Sequence, residues 1–273
     1  MIKAKKFPNR FLGEPKGDRK MSVYDMVFSP TGGTKRVSDL FTEAFCGQSS
    51  HIDLTDHARD FSLSFNREDI CIVSVPSYGG RVPAPAVSRL AQMKGNGARA
   101  VLLVVYGNRA YDDTFAELQD TLEASDFCCT AAVAAVAEHS IMRRYASGRP
   151  DAEDAKELAS FAASVRAKID SPISRNTPAL PGNRPYREYG GVPMKPHAGK
   201  ACVHCGLCAQ KCPVGAIPAQ EPWETDTVKC ISCMGCIAVC PRKARSVNPA
   251  LLAAAGMKLK KACSGRKGNE LFL

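Results

Sequence analysis

Uninterrupted apolar runs alternate with segments of helical periodicity over residues 21–170. Val23–Phe28, Ile70–Val75 and Ala100–Val105 are almost wholly apolar, which is typical of strands buried on both faces of a parallel sheet. Two further strands are predicted at Ile52 and at Cys128–Val136. The alternation of strands and helices predicts an α/β domain with a doubly wound parallel sheet.

Helices are predicted between these strands. Val37, Leu40, Phe41 and Phe45 follow the first strand at roughly helical spacing. The next predicted helices span Pro83–Met93, Tyr111–Ala124 and Asp151–Ile169, the last with Asp151 as its N-cap. Residues Leu54–Asp69 lack this periodicity, so the crossover helix expected there is predicted to be missing or reduced.

A loop of hydroxyl residues and glycines, Ser29–Thr34, joins the first strand to the first helix. Backbone N–H groups at a helix N-terminus lack intrahelical partners, and the helix dipole favours an anion there. Gly32 and Gly33 would let the backbone curl around a phosphate, although an ordinary N-cap after a turn has the same appearance. The third and fourth strands also end in loops of glycine, hydroxyl or aromatic residues, at Pro76–Pro83 and Tyr106–Asp113. Ligands of open α/β sheets bind outside such carboxyl ends.

One cysteine motif, Cys-x2-Cys-x2-Cys-x3-Cys-Pro, occurs twice at an offset of 28 residues. Eight thiolates at this spacing suit two cubane [4Fe–4S] clusters, in which the fourth cysteine of each motif reaches the other cluster. Structural zinc and disulfides fit less well, because zinc sites pair two ligands with two more after a longer gap. Cluster one is therefore assigned to Cys202, Cys205, Cys208 and Cys240, and cluster two to Cys230, Cys233, Cys236 and Cys212.

Residues 199–248 resemble the bacterial-type two-cluster ferredoxins, with Pro213 and Pro241 in place and Gly206 and Gly235 in the cluster loops. Residues 21–170 resemble the flavodoxins, so that the whole chain is similar to flavodoxin–ferredoxin fusion proteins. The resemblance implies strand order 2-1-3-4-5, a C-terminal α+β ferredoxin domain and bound FMN.

By the same resemblance, Ser29–Thr34 would hold the FMN phosphate, and the two later loops would lie against the flavin ring. Tyr78 and Tyr111 are candidates to flank the ring, or else core residues with satisfied hydroxyls. The implied FMN-binding residues are Ser29, Thr31, Gly32, Gly33, Thr34, Ser77, Tyr78, Gly79, Gly80, Arg81, Tyr106, Gly107, Asn108, Tyr111 and Asp112.

Residues 171–198 contain six prolines and predict a semi-rigid connector, which either lies across the flavodoxin-like surface or acts as a free tether. The net charge of +10 is concentrated in two flanks, 1–20 and 257–273. We interpret 1–20 and 249–273 as solvated basic tails that steer an acidic redox partner. The basic residues are not interleaved with aromatic groups, so no nucleic-acid partner is expected.

Thirteen cysteines, with no signal peptide and no run of 18 apolar residues, favour a cytoplasmic, oxygen-poor setting without a transmembrane segment. Cys46, Cys71, Cys128 and Cys129 are predicted to be buried, and Cys263 to be a surface thiol. His139 is predicted to be a satisfied structural histidine rather than a flavin contact. Gly95–Ala100 precedes a strand instead of following one, which excludes a dinucleotide fingerprint there.

These features favour an electron-transfer protein that passes single electrons between two clusters and FMN and links a low-potential donor to a partner protein. It would need no catalytic acid, base or nucleophile. The alternative is an enzyme, an FMN-dependent reductase of a quinone-like or other small acceptor fed through the clusters. A redox sensor whose basic tails bind nucleic acid is a third hypothesis, which predicts salt-dependent binding.

Overall fold

The computed structural model describes residues 21–171 and 176–273. The predicted N-terminal extension and residues 172–175 of the connector lie outside the described residues. In chain order the elements are β1 (Val23–Val27), α1 (Gly33–Cys46), β2 (Ser50–Asp53), β3 (Ile70–Pro76), α2 (Ala84–Leu90), β4 (Arg99–Tyr106), α3 (Thr114–Ala124), β5 (Cys128–Val136), α4 (Ala152–Asp170), β6 (His197–Ala198), α5 (Leu207–Gln210), α6 (Gly235–Ala238), β7 (Arg245–Ser246), α7 (Pro249–Cys263) and β8 (Glu270–Phe272).

Five strands form a parallel sheet in the order β2-β1-β3-β4-β5, which confirms the predicted topology. Both faces of β3 are buried because its alternate residues point to opposite sides: Val73 packs with α2 and α3, whereas Ile72 packs with α1 and α4. The carboxyl ends of β1, β3, β4 and β5 therefore share one edge, where the three predicted loops lie. Among the described helices, none is long and apolar enough to cross a membrane.

The missing crossover helix is confirmed, because the chain between β2 and β3 contains no helix. Short aspartate side chains turn the backbone instead: the Asp56 and Asp60 carboxylates accept N–H bonds from residues two positions further on, at 3.0 and 2.9 Å. Phe61 and Phe65 still reach the core beside α2. The predicted cap of α4 is also confirmed, since Asp151 accepts N–H bonds from Glu153 and Asp154 in a capping box.

The C-terminal segment differs from the predicted solvated tail. Residues Pro249–Cys263 form helix α7, and β8 pairs antiparallel with β5 as a sixth strand of the sheet. The Asn269 side chain fixes this strand, because its Oδ1 accepts the Val136 N–H at 2.8 Å while its Nδ2 donates to Asp154 at 3.0 Å. Cys263, predicted to be a surface thiol, is 3% exposed, because α7 packs back onto the molecule.

The described part of the connector lies along the flavodoxin-like domain rather than forming a free tether. The Asp113 carboxylate accepts the backbone N–H groups of Asn183 and Arg187 at 2.8 and 2.7 Å. Arg184 forms an ion pair with Asp120 at 2.6 Å. These contacts hold the chain on α3 before it enters the cysteine-rich module, residues 197–247, whose ends pair as β6 and β7.

Candidate functional site

The loop after β1 turns sharply into α1. Gly32 has φ +88°, a left-handed conformation that favours glycine, and α1 begins at Gly33. The Ser29 hydroxyl accepts the Lys35 N–H at 2.9 Å and fixes the turn. The first backbone N–H groups of the helix lack intrahelical partners and provide the donors that a phosphate requires.

A cavity, here called the strand-end cavity, opens between this loop and the ends of β3, β4 and β5. Its walls come from four separate stretches of chain that the parallel sheet brings to one edge. The lining residues are Ser29, Pro30, Thr31, Gly33, Thr34, Pro76, Ser77, Tyr78, Val105, Tyr106, Gly107, Ala137, Glu138, His139 and Ser140. A loop of hydroxyls and helix N–H donors at one end and aromatic walls beside it fit a phosphate attached to a flat ring.

A second cavity, the interdomain cavity, shares Ser77, Tyr78, Gly107, His139 and Ser140 with the first and extends toward the cysteine-rich module. Its outer wall contains residues of the connector, of the module and of α7. These are Tyr189, Val192, Met194, Ile231, Ser232 and Leu259. The two cavities adjoin along these shared residues, so a ligand held by the Ser29–Thr34 loop would lie close to the boundary between the two domains.

Two glycines in these walls leave room for aromatic side chains. A Cβ on Gly79 would collide with the Tyr189 ring, and a Cβ on Gly107 would lie 2.8 Å from the His139 ring. The predicted loop glycines therefore admit the ring-bearing residues that complete the wall. Sequence reasoning missed Tyr189, because its distance along the chain gave no sign that the connector folds back.

The structure brings ten of the predicted FMN-binding residues to these two cavities or to a neighbouring groove that lies between Thr31–Gly33 and α6. It places the other five elsewhere. Those in place are Ser29, Thr31, Gly32, Gly33, Thr34, Ser77, Tyr78, Gly79, Tyr106 and Gly107. The other five make protein contacts instead. The Tyr111 ring packs edge-on against Tyr106 and Phe115, with its hydroxyl on Glu270, which matches the alternative of a core tyrosine.

The remaining four support the surrounding chain. Arg81 pairs with Glu117 at 2.7 Å and donates to the Arg187 carbonyl at 2.8 Å. Asn108 is buried, and its amide donates to the carbonyl oxygens of Cys263 and Gly265. Asp112 pairs with Arg109 and Arg187 and lies against Gly80. These residues fasten the connector and the end of α7 to the domain.

His139 lines both cavities and is at the same time hydrogen-bonded as a structural residue. Its Nδ1 accepts the N–H groups of Ile141 and Met142, both at 3.2 Å. Burial lowers the pKa of His139 to about 4, and nearby Arg109 acts in the same direction. The imidazole is therefore neutral at neutral pH.

The four cysteines predicted for cluster one surround a third cavity, the cysteine cavity. Its lining is Cys202, Val203, Cys205, Gly206, Leu207, Cys208, Pro222, Cys240, Pro241, Arg242 and Arg245. Cys240 comes from the second motif, so the long crossing of the fourth cysteine is present in the fold. Burial raises the pKa of Cys240, but N–H donors from Ala244, Arg242 and Arg245 outweigh it and lower the pKa overall.

The cysteines predicted for cluster two also lie together. Burial raises the pKa of the Cys233 thiol to about 12, and the neighbouring thiols of Cys236, Cys212 and Cys230 add to the effect. Burial likewise raises the pKa of Cys236 to about 11. Since the thiolate is the form that binds iron, metal must displace these protons.

The two motifs adopt matching backbones. His204, Gly206 and Gly215 have positive φ, and so do Ser232, Met234 and Lys243, each 28 residues further along. The Sγ atoms of Cys212 and Cys240 each accept an N–H bond at 3.2 Å from the residue four positions on. Backbone N–H groups aimed at sulfur are what iron–sulfur ligands require.

Gly235 lies in the second cluster loop but does not have the backbone role of Gly206. The counterpart of Gly206 in the second motif is Met234, with φ +64°, and not Gly235, which begins α6. Gly235 lies against Pro30 instead, so its missing Cβ serves the contact between domains. Among the described residues, no group of three His, Cys, Asp or Glu side chains could hold a single metal ion. A cubane does not need such a group, because each of its cysteines binds a different iron.

A flavodoxin-like parallel sheet thus carries a C-terminal module with two cubane-type cysteine motifs. Residues 201–244 match the family model of the 4Fe-4S dicluster domain, so the module is an iron–sulfur domain for two [4Fe–4S] clusters. A 55-residue stretch is 40% identical to one component of an ion-translocating oxidoreductase complex of Methanosarcina acetivorans. That match covers 20% of this chain and 21% of the relative, so the chain spans about a fifth of that protein.

Solved flavodoxin-like structures superpose on about half of the chain. A Streptococcus pneumoniae TIGR4 flavodoxin is 20% identical, with a TM-score of 0.39, over 54% of this chain and 99% of its own. An NADH:FMN oxidoreductase in its apo form is 14% identical, with a TM-score of 0.40, over 58% of this chain and 95% of its own. The fold assignment rests on the observed strand order.

Proposed function

We propose that the chain is an electron-transfer protein that passes single electrons between two [4Fe–4S] clusters and one FMN, linking a low-potential donor to a partner protein. The observation that carries the proposal is that Tyr78 lines the interdomain cavity together with Ile231 and Ser232, the residues just before Cys233. Tyr78 lies in the loop after β3 and lines both cavities, and Cys233 is a predicted cluster-two ligand. Burial raises the pKa of Tyr78 well above its usual range, and the Cys233 thiol acts in the same direction.

Residues of both domains would hold the groups. The Ser29–Thr34 loop would bind the FMN phosphate, while Tyr78, Gly79, His139 and Tyr189 would enclose the ring. When bound, the clusters supply one-electron transfer and FMN supplies storage of one or two electrons. The neutral His139 adds no positive charge beside the ring, and the connector, held on Asp113, keeps Tyr189 in place.

The two cysteine sets differ in their exposure to solvent. Cys205 of the cluster-one set is exposed, whereas Cys233 of the cluster-two set is buried beside the flavodoxin-like domain. Val203 and Trp223 are exposed near Cys205, and the Trp223 ring lies 4.6 Å from that of His204. Cluster one therefore faces a partner protein, and cluster two faces the flavin site.

The outer wall of the interdomain cavity favours the carrier over the alternative of an FMN-dependent reductase with a small acceptor. Tyr189, Met194 and Leu259 line this cavity and would stand in the path of such an acceptor. A reductase requires an open path to the flavin ring, whereas a carrier requires only the exposed edge near Cys205.

The test is anaerobic purification followed by counting iron, sulfide and FMN per chain, then dithionite titration with visible and EPR spectra. About eight irons and one FMN, reduced in separable steps, are the expected result. Thr31→Glu should abolish FMN binding by placing a carboxylate beside the phosphate, and Thr31→Gln, of matched size, should retain most of it. Eight irons without flavin, even after FMN is added, would leave a ferredoxin and defeat the proposal.

A further inference from the structure

Arg245 is a cation buried without a counter-charge. The residue is 3% exposed. Its Nη1 donates to the Thr225 hydroxyl at 2.9 Å, and its Nη2 donates to the carbonyl oxygens of Pro222 and Glu224 at 3.0 and 2.9 Å. All of these acceptors are neutral. Among residues 21–171 and 176–273, its Nε has no hydrogen-bond partner and its guanidinium forms no ion pair with a carboxylate.

A buried charge is costly unless an opposite charge lies nearby. Arg245 lines the cysteine cavity together with Cys202, Cys205, Cys208 and Cys240. A cubane held by four thiolates carries net negative charge, and the charge of a bound metal centre dominates its surroundings. A cluster held by these four cysteines would thus supply the negative charge that the Arg245 guanidinium lacks.

The two motifs differ at this position. The residue 28 positions before Arg245 is Ile217, which is buried and packs beside Cys212 in the cluster-two half of the module. The neighbouring positions match, since Ala216 and Ala244 donate equivalent N–H bonds to sulfur. One cluster therefore has a buried cation where the other has an aliphatic side chain.

We propose that Arg245 is the counter-charge of cluster one and holds its reduction potential above that of cluster two. Reduction adds one negative charge to a cluster, so a nearby buried cation stabilises the reduced state. This inference rests on the proposed electron-transfer function and gives it a direction. Electrons move downhill from cluster two, whose Cys233 follows Ser232 of the interdomain cavity, to cluster one, beside the exposed Cys205.

Arg245 also faces cluster two across the module. Together with Ile237 and Ala238, which follow Cys236 in α6, it lines a groove that extends to the Ser29–Thr34 loop. Neutralising Arg245 is therefore expected to shift both clusters in the same direction, with the larger change in cluster one, whose cavity the side chain lines.

The test is an EPR-monitored redox titration of the iron-loaded full chain and of Arg245→Met. At the poise where cluster one of the unchanged protein is half reduced, Arg245→Met should lower the ratio of reduced to oxidised cluster one at least tenfold, which is 59 mV for a one-electron couple. Arg245→Lys, which keeps the charge, should remain within about threefold. Cys205→Ser, which changes a cluster-one ligand, assigns the EPR signals.

Arg242→Met is the matched control, because Arg242 lines the same cavity but is exposed, and its charge is screened by water. If Arg245→Met does not retain iron, Arg245→Gln, which keeps a side-chain donor, replaces it. Clusters that load fully and titrate within threefold of the unchanged protein would overturn the role of Arg245. Absence of two clusters from the unchanged protein would instead defeat the proposed function.

Discussion

Gly235 packs directly on Pro30. A Cβ on Gly235 would lie 3.0 Å from the Pro30 Cβ and 3.1 Å from its carbonyl oxygen. Pro30 belongs to the loop proposed to hold the FMN phosphate, and Gly235 lies between Cys233 and Cys236 of the proposed cluster two. One close contact therefore joins the two cofactor sites.

Substitution of Gly235 should weaken the contact between the domains. Alanine is a better helix former than glycine, so Gly235→Ala alone would favour α6. We nevertheless expect a loss of about 1–3 kcal/mol, because the added methyl group overpacks the contact with Pro30. Anaerobic denaturant unfolding measures the loss. Gly268→Ala is the control, since a Cβ there meets nothing within 4 Å; equal stability of both variants would contradict the prediction.

Removal of one motif cysteine should remove one cluster. Cys205→Ala is expected to lower the iron content from about eight to about four per chain, because a cubane lacking one ligand is lost while the other is retained. Cys71→Ala should keep the full content, since Cys71 is buried in the core of the sheet. Iron and sulfide analysis of anaerobically purified protein distinguishes the two, and equal iron in both variants would remove Cys205 from the ligand set.

The buried pair of Arg149 and Asp154 should be essential for stability. Asp154 is 1% exposed and also accepts from Asn269, so it links α4 to β8. Asp154→Asn is expected to cost about 3–5 kcal/mol because the Arg149 charge is left unpaired. The exposed pair Arg166 and Asp170 is the control, where Asp170→Asn should cost at most about 1 kcal/mol. Denaturant midpoints provide the measurement.

His139 should make stability depend on pH. Burial lowers its folded-state pKa to about 4, below the unfolded value of about 6.5. Its contribution is therefore fully present above about pH 6.5 and is lost as pH falls toward 4, at up to about 1.4 kcal/mol per pH unit. His139→Asn should remove this component. Unfolding free energies at several pH values test it, and parallel profiles for the two proteins would disprove it.

Local patterns were sufficient for the sheet and for the cysteine motifs. The apolar runs at β3 and β4 predict buried parallel strands because both of their faces must be covered. The lack of helical periodicity before β3 correctly predicts a missing helix, and the structure adds that aspartate side chains there accept backbone N–H groups. The paired motifs predict two clusters because each cubane requires four thiolates at fixed spacing.

Contacts between residues far apart in the chain could not be predicted from such local patterns. The return of β8 to β5 depends on Asn269 meeting Asp154, residues 115 positions apart. The place of Tyr189 beside Gly79 likewise depends on the Asp113 carboxylate, which holds the connector on α3. Neither β8 nor the connector has a periodic pattern of apolar residues, so the local sequence does not indicate which surface each of them packs against.

Periodicity and spacing within short stretches of chain were enough to predict the parallel sheet, the Ser29–Thr34 loop and the eight motif cysteines. The fold was needed to show that Tyr189 rather than Tyr111 borders the interdomain cavity, that Gly235 packs on Pro30 and that Arg245 is buried in the wall of the cysteine cavity. Packing and charge burial depend on which surfaces meet, and contacts between distant segments determine that.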